Sequence, residues 1–197
     1  MRPTGTLFVA VLDANVRYGY PLRDTLLRAV EASLYRAVWS YEIWDEVLRN
    51  LKDPVKRERP HTDAQAAHLL ATIKNHVPEG FVSGYEALIF GMTNNEKDRH
   101  VAALGVRAHA QVIVTYNLKH FPATSLTPYN MEAQHPDDFL MDLYSLDPVA
   151  MAQLVVDQAT ALKKRVMTPQ ELLDKMDKVD LKKFAQAIRA HLADANN

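Results

Sequence analysis

Short apolar runs that stop abruptly at a polar residue recur along this chain, separated by stretches of helical periodicity. A strand that is apolar throughout must be covered on both faces, so the alternation points to a three-layer α/β/α sandwich around a central parallel sheet. The first run covers residues 6–12 and ends at Asp13. It is far shorter than the ~20 residues that cross a bilayer, and no small-residue cleavage site follows it, so it reads as a buried strand rather than an anchor or a leader. Residues 37–39 and 111–115 read as further strands, and Phe81 with Val82 as a short one.

The intervening helices carry start signals. Ser40 is placed to N-cap a helix over 41–51, whose Ile43, Trp44, Val47, Leu48 and Leu51 form one apolar stripe. Thr62 and Gln65 form a capping box for a helix reaching about residue 76. Helices are also expected over 22–34, 97–109 and 136–144. The helix over 97–109 has a narrow inner face of Val101, Leu104, Gly105 and Ala108. Beyond residue 145 the pattern is helical only. Asp147 precedes Pro148, Thr168-Pro169-Gln170-Glu171 is a capping box with Pro at the first helical position, and Asp180 is placed to cap a last helix to about residue 192. The expected organisation is therefore an α/β domain over 1–145 and a helical C-terminal extension over 146–197.

Composition excludes several functions. The chain has 197 residues, 23 Lys and Arg against 24 Asp and Glu, a formal net charge of −1, and no cysteine. The near-zero balance rules out a generic polybasic nucleic-acid binder. Without cysteine there is no disulfide frame, no thiolate zinc site and no thiol nucleophile, and a reducing cytoplasm is the expected location. No glycine-rich phosphate loop suggests a nucleotide enzyme, and the eight histidines make no paired metal-ligand spacing. His61, His68 and His76 read as structural or exposed, whereas His120 and His135 fall in loops on the expected active side.

Open parallel sheets place functional groups at the carboxyl ends of their strands. Asp13 follows the first strand directly, and Thr115 ends a later one, just before Tyr116-Asn117. Glu46, in the second turn of the helix capped by Ser40, lies on the flank of the apolar stripe. Asp98 opens the next helix. Each has a plainer reading: a turn residue at Asp13, an ion pair of Glu46 with Arg49, a carboxylate favoured by the helix dipole at Asp98, and a loop amide at Asn117. Together they place three carboxylates and an amide at one sheet edge. Crowded carboxylates repel one another unless a cation joins them, and oxygen ligands suit Mg²⁺ or Mn²⁺, which take phosphate oxygens readily. Metal-assisted phosphodiester hydrolysis is the chemistry this suggests.

The series Phe8-Val-Ala-Val-Leu-Asp13-Ala-Asn15, Ser40-Tyr-Glu-Ile-Trp-Asp-Glu46-Val-Leu, Lys97-Asp98-Arg-His100 and Ile113-Val-Thr-Tyr-Asn117-Leu-Lys-His-Phe121-Pro resembles the PIN-domain family, and within it the VapC-type toxins of type II toxin–antitoxin pairs. The resemblance covers about residues 6–145. It implies an Mg²⁺- or Mn²⁺-dependent endoribonuclease that acts on RNA, forms a homodimer and is held inactive by a cognate antitoxin, with no membrane partner. Asp13, Glu46 and Asp98 match the acidic metal-binding residues. Asn117 stands where many relatives carry a fourth aspartate, and Asn94-Asn95-Glu96 lacks an aspartate that relatives often carry just before the Asp98 position. Asn15, Arg99 and Thr115 are expected at the substrate.

Three alternatives stand beside this one. They are a PIN nuclease of RNA processing or DNA cleavage, a regulatory module that binds metal or RNA with little turnover, and a phosphoryl-transfer enzyme with Asp13 as nucleophile. The basic cluster of Arg49, Lys52, Lys56, Arg57 and Arg59 reads as a solvated loop or an RNA-phosphate contact. The C-terminal apolar positions Leu172, Leu173, Met176, Leu181, Phe184, Ala185 and Ile188 either pack on the main domain or form a surface for a second protein.

Overall fold

The computed structural model describes residues 7–17, 20–56, 58–161 and 166–195; Thr6 of the first apolar run and Arg57 of the basic cluster lie outside them. In chain order the elements are β1 (Val9–Leu12), α1 (Leu22–Glu31), β2 (Arg36–Val38), α2 (Tyr41–Lys52), α3 (Asp63–His76), α4 (Arg99–Ala108), β3 (Val112–Val114), α5 (Ala123–Leu126), β4 (Glu132–Gln134), α6 (Pro136–Leu146), α7 (Pro148–Thr160), α8 (Pro169–Lys178) and α9 (Lys182–Asp194). The chain forms two compact units, Met1–Tyr18 with Arg36–Gln134, and Gly19–Tyr35 with His135–Asn197.

The first unit holds a four-stranded parallel sheet in the order β2-β1-β3-β4. The α/β class with a central parallel sheet is thus as the sequence indicates. Ala10 pairs with Ala37 on one side and with Val112 on the other. All four residues of β1 are buried, as a strand flanked on both edges requires. Trp39 extends β2 by one bridge to Phe81, so the short strand expected at 81–82 is a single parallel pairing. The strand β4 had no counterpart in the sequence reading. It is a partly exposed edge, Glu-Ala-Gln, with no apolar run to announce it.

Side chains fix the helices that flank this sheet. The Ser40 hydroxyl accepts from the Ile43 N–H at 3.2 Å, and the stripe of α2 buries Ile43, Trp44, Val47 and Leu51. The capping box of Thr62 and Gln65 is present at the start of α3. The inner face of α4 is buried as expected and packs on β1 and β3. At Gly105 a Cβ would stand 2.7 Å from Met131 Sδ and 3.4 Å from Val11 Cγ2, so the absence of a side chain sets how closely α4 approaches β1. Trp39 packs edge-on against Trp44 and Phe81, with ring centroids 6.0 and 5.6 Å away. Gly80 lies against the same indole; a Cβ there would come within 2.7 Å of Trp39 Cζ2 and 3.2 Å of the Ala37 carbonyl oxygen.

The second unit is helical. It contains α1 and α6 as well as the helices beyond residue 145, so its membership cuts across a division at 145/146. Within it α7 packs on α1, α6, α8 and α9. Thr25 of α1 donates its hydroxyl to Gln158 Oε1 at 2.8 Å, and Gln158 Nε2 donates to the Pro21 carbonyl at 3.1 Å, which satisfies a buried polar pair between two helices. Leu172, Leu173, Met176, Leu181, Phe184, Ala185 and Ile188 are all buried. The C-terminal stripe is therefore consumed by packing and is not an open surface.

Asp147 and Thr168 cap α7 and α8 as read from the sequence. Asp180 does not cap α9; it takes a left-handed backbone (φ 62°), and the helix starts after Leu181. The N–H groups of Lys183 and Phe184 donate instead to the two oxygens of Asp137, each at 2.9 Å. A carboxylate from α6 thus satisfies donors that the sequence neighbour leaves open, and its negative charge meets the positive end of the α9 dipole.

Replacing Asp137 with Ala should destabilise the protein by about 1–2 kcal/mol, the usual range for a lost cap, measured by urea unfolding. Gly80→Ala should cost about 1–3 kcal/mol in the same assay, because Trp39 or the strand must shift to admit the methyl group.

Candidate active site

The strand order places β1 between β2 and β3, so the connections leaving β1 and β3 run to opposite sides and open a crevice at their carboxyl ends. Asp13 and Thr115 flank it. The Asp13 N–H continues the ladder by donating to the Val114 carbonyl at 3.2 Å, and the residue is only 4% exposed. Three donors hold it. Oδ1 accepts from the Ala14 N–H at 2.7 Å, and Oδ2 accepts from the Thr115 hydroxyl and the Asn15 amide, both at 2.7 Å.

Those donors are themselves tied down. The Asn15 amide also donates to Thr115 Oγ1 at 2.9 Å, and Asn15 Oδ1 accepts from the Tyr116 N–H at 3.1 Å. The Asn117 N–H donates to Thr115 Oγ1 at 3.0 Å. Asn15 and Thr115, expected at the substrate, are in the structure bonded to Asp13 and to the loop that follows β3. That arrangement orients the carboxylate through groups that need not touch a ligand.

Burial pushes the Asp13 carboxyl above its ordinary range. The hydrogen bonds from Thr115 and Ala14 oppose this shift, while the charges of Asp98 and Glu46 add to it. Asp13 therefore senses the charges of both other carboxylates predicted to act with it. Glu46 is half-buried on α2, where it lines a cavity of about 270 Å³ with Arg49, Asn50, Asp53 and Lys56. Arg49 donates to the Asp45 carbonyl at 3.4 Å, and Lys52 pairs with Asp63 at 3.0 Å, which ties that member of the basic cluster to α3.

Asp98 ends a 3₁₀ turn, Glu96–Asp98, and precedes α4 without making a side-chain cap. Its Oδ2 lies 2.8 Å from Nδ1 of His120. Asn117 is half-buried at the head of the turn Leu118–His120, and its carbonyl accepts from the His120 N–H at 2.9 Å. Arg99 begins α4, and its Nε is buried with no hydrogen-bond partner. His135, the other loop histidine, accepts from the Asp137 N–H at 3.2 Å and faces Asp180 at 3.5 Å, a helix-start role.

Among the described residues no three acidic or histidine side chains form a ready-made coordination cluster. The donor chemistry is nevertheless of the kind a hard divalent cation takes. All three side chains offer carboxylate oxygens, their charges raise the cost of ionising Asp13, and Mg²⁺ commonly binds through one or two carboxylates while keeping several waters.

With this geometry in place, the chain belongs to the PIN-domain family, whose PIN domain model matches residues 9–119. A second model, described as the VapC50 C-terminal domain, matches residues 136–190, most of the helical unit. Over 100 residues the chain is 46% identical to a Mycobacterium tuberculosis protein named "Putative ribonuclease VapC50". That stretch is 51% of this chain and 59% of the relative, so the match spans about three fifths of the relative's length. No solved structure matches the chain.

The raised Asp13 carboxyl has a consequence for stability. A group whose folded value exceeds its unfolded one contributes fully while protonated in both states, and that contribution is lost as pH rises through the folded value. In metal-free buffer, the melting temperature of the wild type relative to Asp13→Asn should therefore fall as pH is raised from about 4 to about 7. A pH-independent difference would show that ionised Asp13 is not strained in the fold.

Proposed function

We propose that this chain is an Mg²⁺- or Mn²⁺-dependent endoribonuclease, the toxin of a type II toxin–antitoxin pair, acting on RNA in the cytoplasm. The observation that carries the reading is the enclosed Asp13 carboxylate at the switch point, whose charged influences are two further carboxylates, Asp98 and Glu46. Membership of the PIN family and the name of the mycobacterial relative support the same class.

In this reading Asp13, Glu46 and Asp98 hold the divalent ion. When bound, the ion supplies positive charge for the phosphate and a more acidic water. The protein's own part is positioning. Thr115, Asn15 and the Ala14 N–H fix the Asp13 carboxylate, so little side-chain freedom remains to be lost on ligation. Asn117, at the head of the next turn, orients a water or a phosphate oxygen through its amide. Arg99 opens α4 beside Asp98 and brings a positive charge for a phosphate to that end of the helix. A cognate antitoxin and a second copy of the chain are the partners this class implies. Because the C-terminal stripe is buried, both would engage other surfaces than that stripe.

Cleavage of a structured RNA in Mg²⁺ or Mn²⁺ should be abolished by excess EDTA. Asp13→Asn should lower the rate by about 100-fold or more, since groups that merely support a metal ligand commonly carry 10–100-fold. Undiminished cleavage by that variant, or cleavage in EDTA, would overturn the assignment.

A further inference from the structure

His120 makes more connections around the crevice than any spacing in the sequence suggests. Its Nδ1 lies 2.8 Å from Asp98 Oδ2, across 22 residues of chain, and the two side chains are 27% and 17% exposed. Its backbone is bonded on both sides. The His120 N–H donates to the Asn117 carbonyl at 2.9 Å, and the His120 carbonyl accepts from the Asn95 N–H at 3.0 Å. Asn95 in turn accepts the Asp98 N–H at its carbonyl, at 2.9 Å. The bonds among His120, Asp98 and Asn95 close a ring, to which Asn117 is tied through the His120 N–H, and the ring joins the loop after β3 to the turn before α4.

Such a ring does more than an ordinary surface ion pair, which contributes little because both side chains remain free to swing. Here the imidazole is anchored by its own main chain at the distance of a good charge-assisted hydrogen bond. An ionised carboxylate accepts only, so Nδ1 carries the proton and donates to Oδ2, which leaves Oδ1 of Asp98 as the oxygen without that partner.

The geometry points to His120 as the positioning residue of Asp98: it restrains the carboxylate in one orientation and thereby raises its affinity for a divalent cation. This rests on the reading of Asp98 as a metal-binding carboxylate. Hydrogen-bond partners of ligating groups act in this way, by fixing the ligand before the ion arrives. Thr115 and Asn15 hold the Asp13 carboxylate in the same manner.

The test is direct binding of Mn²⁺ to the full chain, followed by the electron paramagnetic resonance signal of free Mn²⁺, without RNA. His120→Asn and His120→Gln form the decisive pair. Both are polar and uncharged, but the Asn amide reaches the place of Nδ1 and the Gln amide the place of Nε2. His120→Gln and His120→Ala should each weaken Mn²⁺ binding by about 10–100-fold, and His120→Asn should recover most of that loss. In RNA cleavage the same loss should appear as a higher Mn²⁺ requirement with a largely preserved rate at saturating metal. Circular dichroism and melting of each variant establish that it is folded, and the Asn and Gln comparison stands if the Ala variant is not. Equal Mn²⁺ affinity for Asn and Gln would overturn the positioning role. So would wild-type affinity in His120→Gln when Asp98→Asn binds weakly, and this outcome leaves the site itself intact. Unchanged affinity in both Asp13→Asn and Asp98→Asn would instead overturn the metal site, and this proposal with it.

Discussion

The enclosure of one carboxylate organises the carboxyl edge of this sheet. Desolvating Asp13 is costly, and the cost is met by three short hydrogen bonds from Ala14, Asn15 and Thr115. Two of those donors are side chains, and Thr115 lies at the end of a neighbouring strand about a hundred residues away. Satisfying the carboxylate therefore locks the ends of β1 and β3 together. The loop after β3 inherits its course from the same bonds, because Asn117 donates to the hydroxyl that donates to Asp13. Removing the acid would release donors and a loop together.

A similar economy operates in the helical unit. Asp137 is nearly buried, yet both its oxygens are used, each on an N–H at the start of α9. In both units an acid that counts as −1 in the composition is committed locally, which is why the near-neutral total says so little about where charge acts. Under the proposed function a divalent ion would neutralise much of the charge gathered around Asp13, and a phosphate would then meet a far less hostile field than the residue count implies.

How much was legible in the sequence follows from how local each signal is. Ser40, Thr62, Asp147 and Thr168 cap the helices that directly follow them, and each was readable because a cap and its helix are three residues apart. The buried strands announced themselves as apolar runs, and Asp13 and Thr115 could be placed at their ends. The edge strand β4 escaped because a half-exposed Glu-Ala-Gln carries no such run. The start of α9 was assigned to Asp180, its neighbour, whereas the carboxylate that serves it comes from 46 residues earlier. The C-terminal apolar positions were visible, but not the fact that α1 would join them, because that grouping brings together segments more than a hundred residues apart.

The sequence by itself determined the class of fold, the identity of the acids at the strand and helix ends, and the caps that start most helices. These depend on periodicity and on contacts within one or two turns. Only the tertiary structure decided what each acid does once it is there. Asp13 became a buried acceptor held from β3, Asp98 turned from its own helix towards His120, and Asp137 crossed to the start of α9. The physical reason is common to all three. A carboxylate removed from water takes the best donors within reach, and which donors those are depends on strand order and helix packing, not on neighbours in the chain.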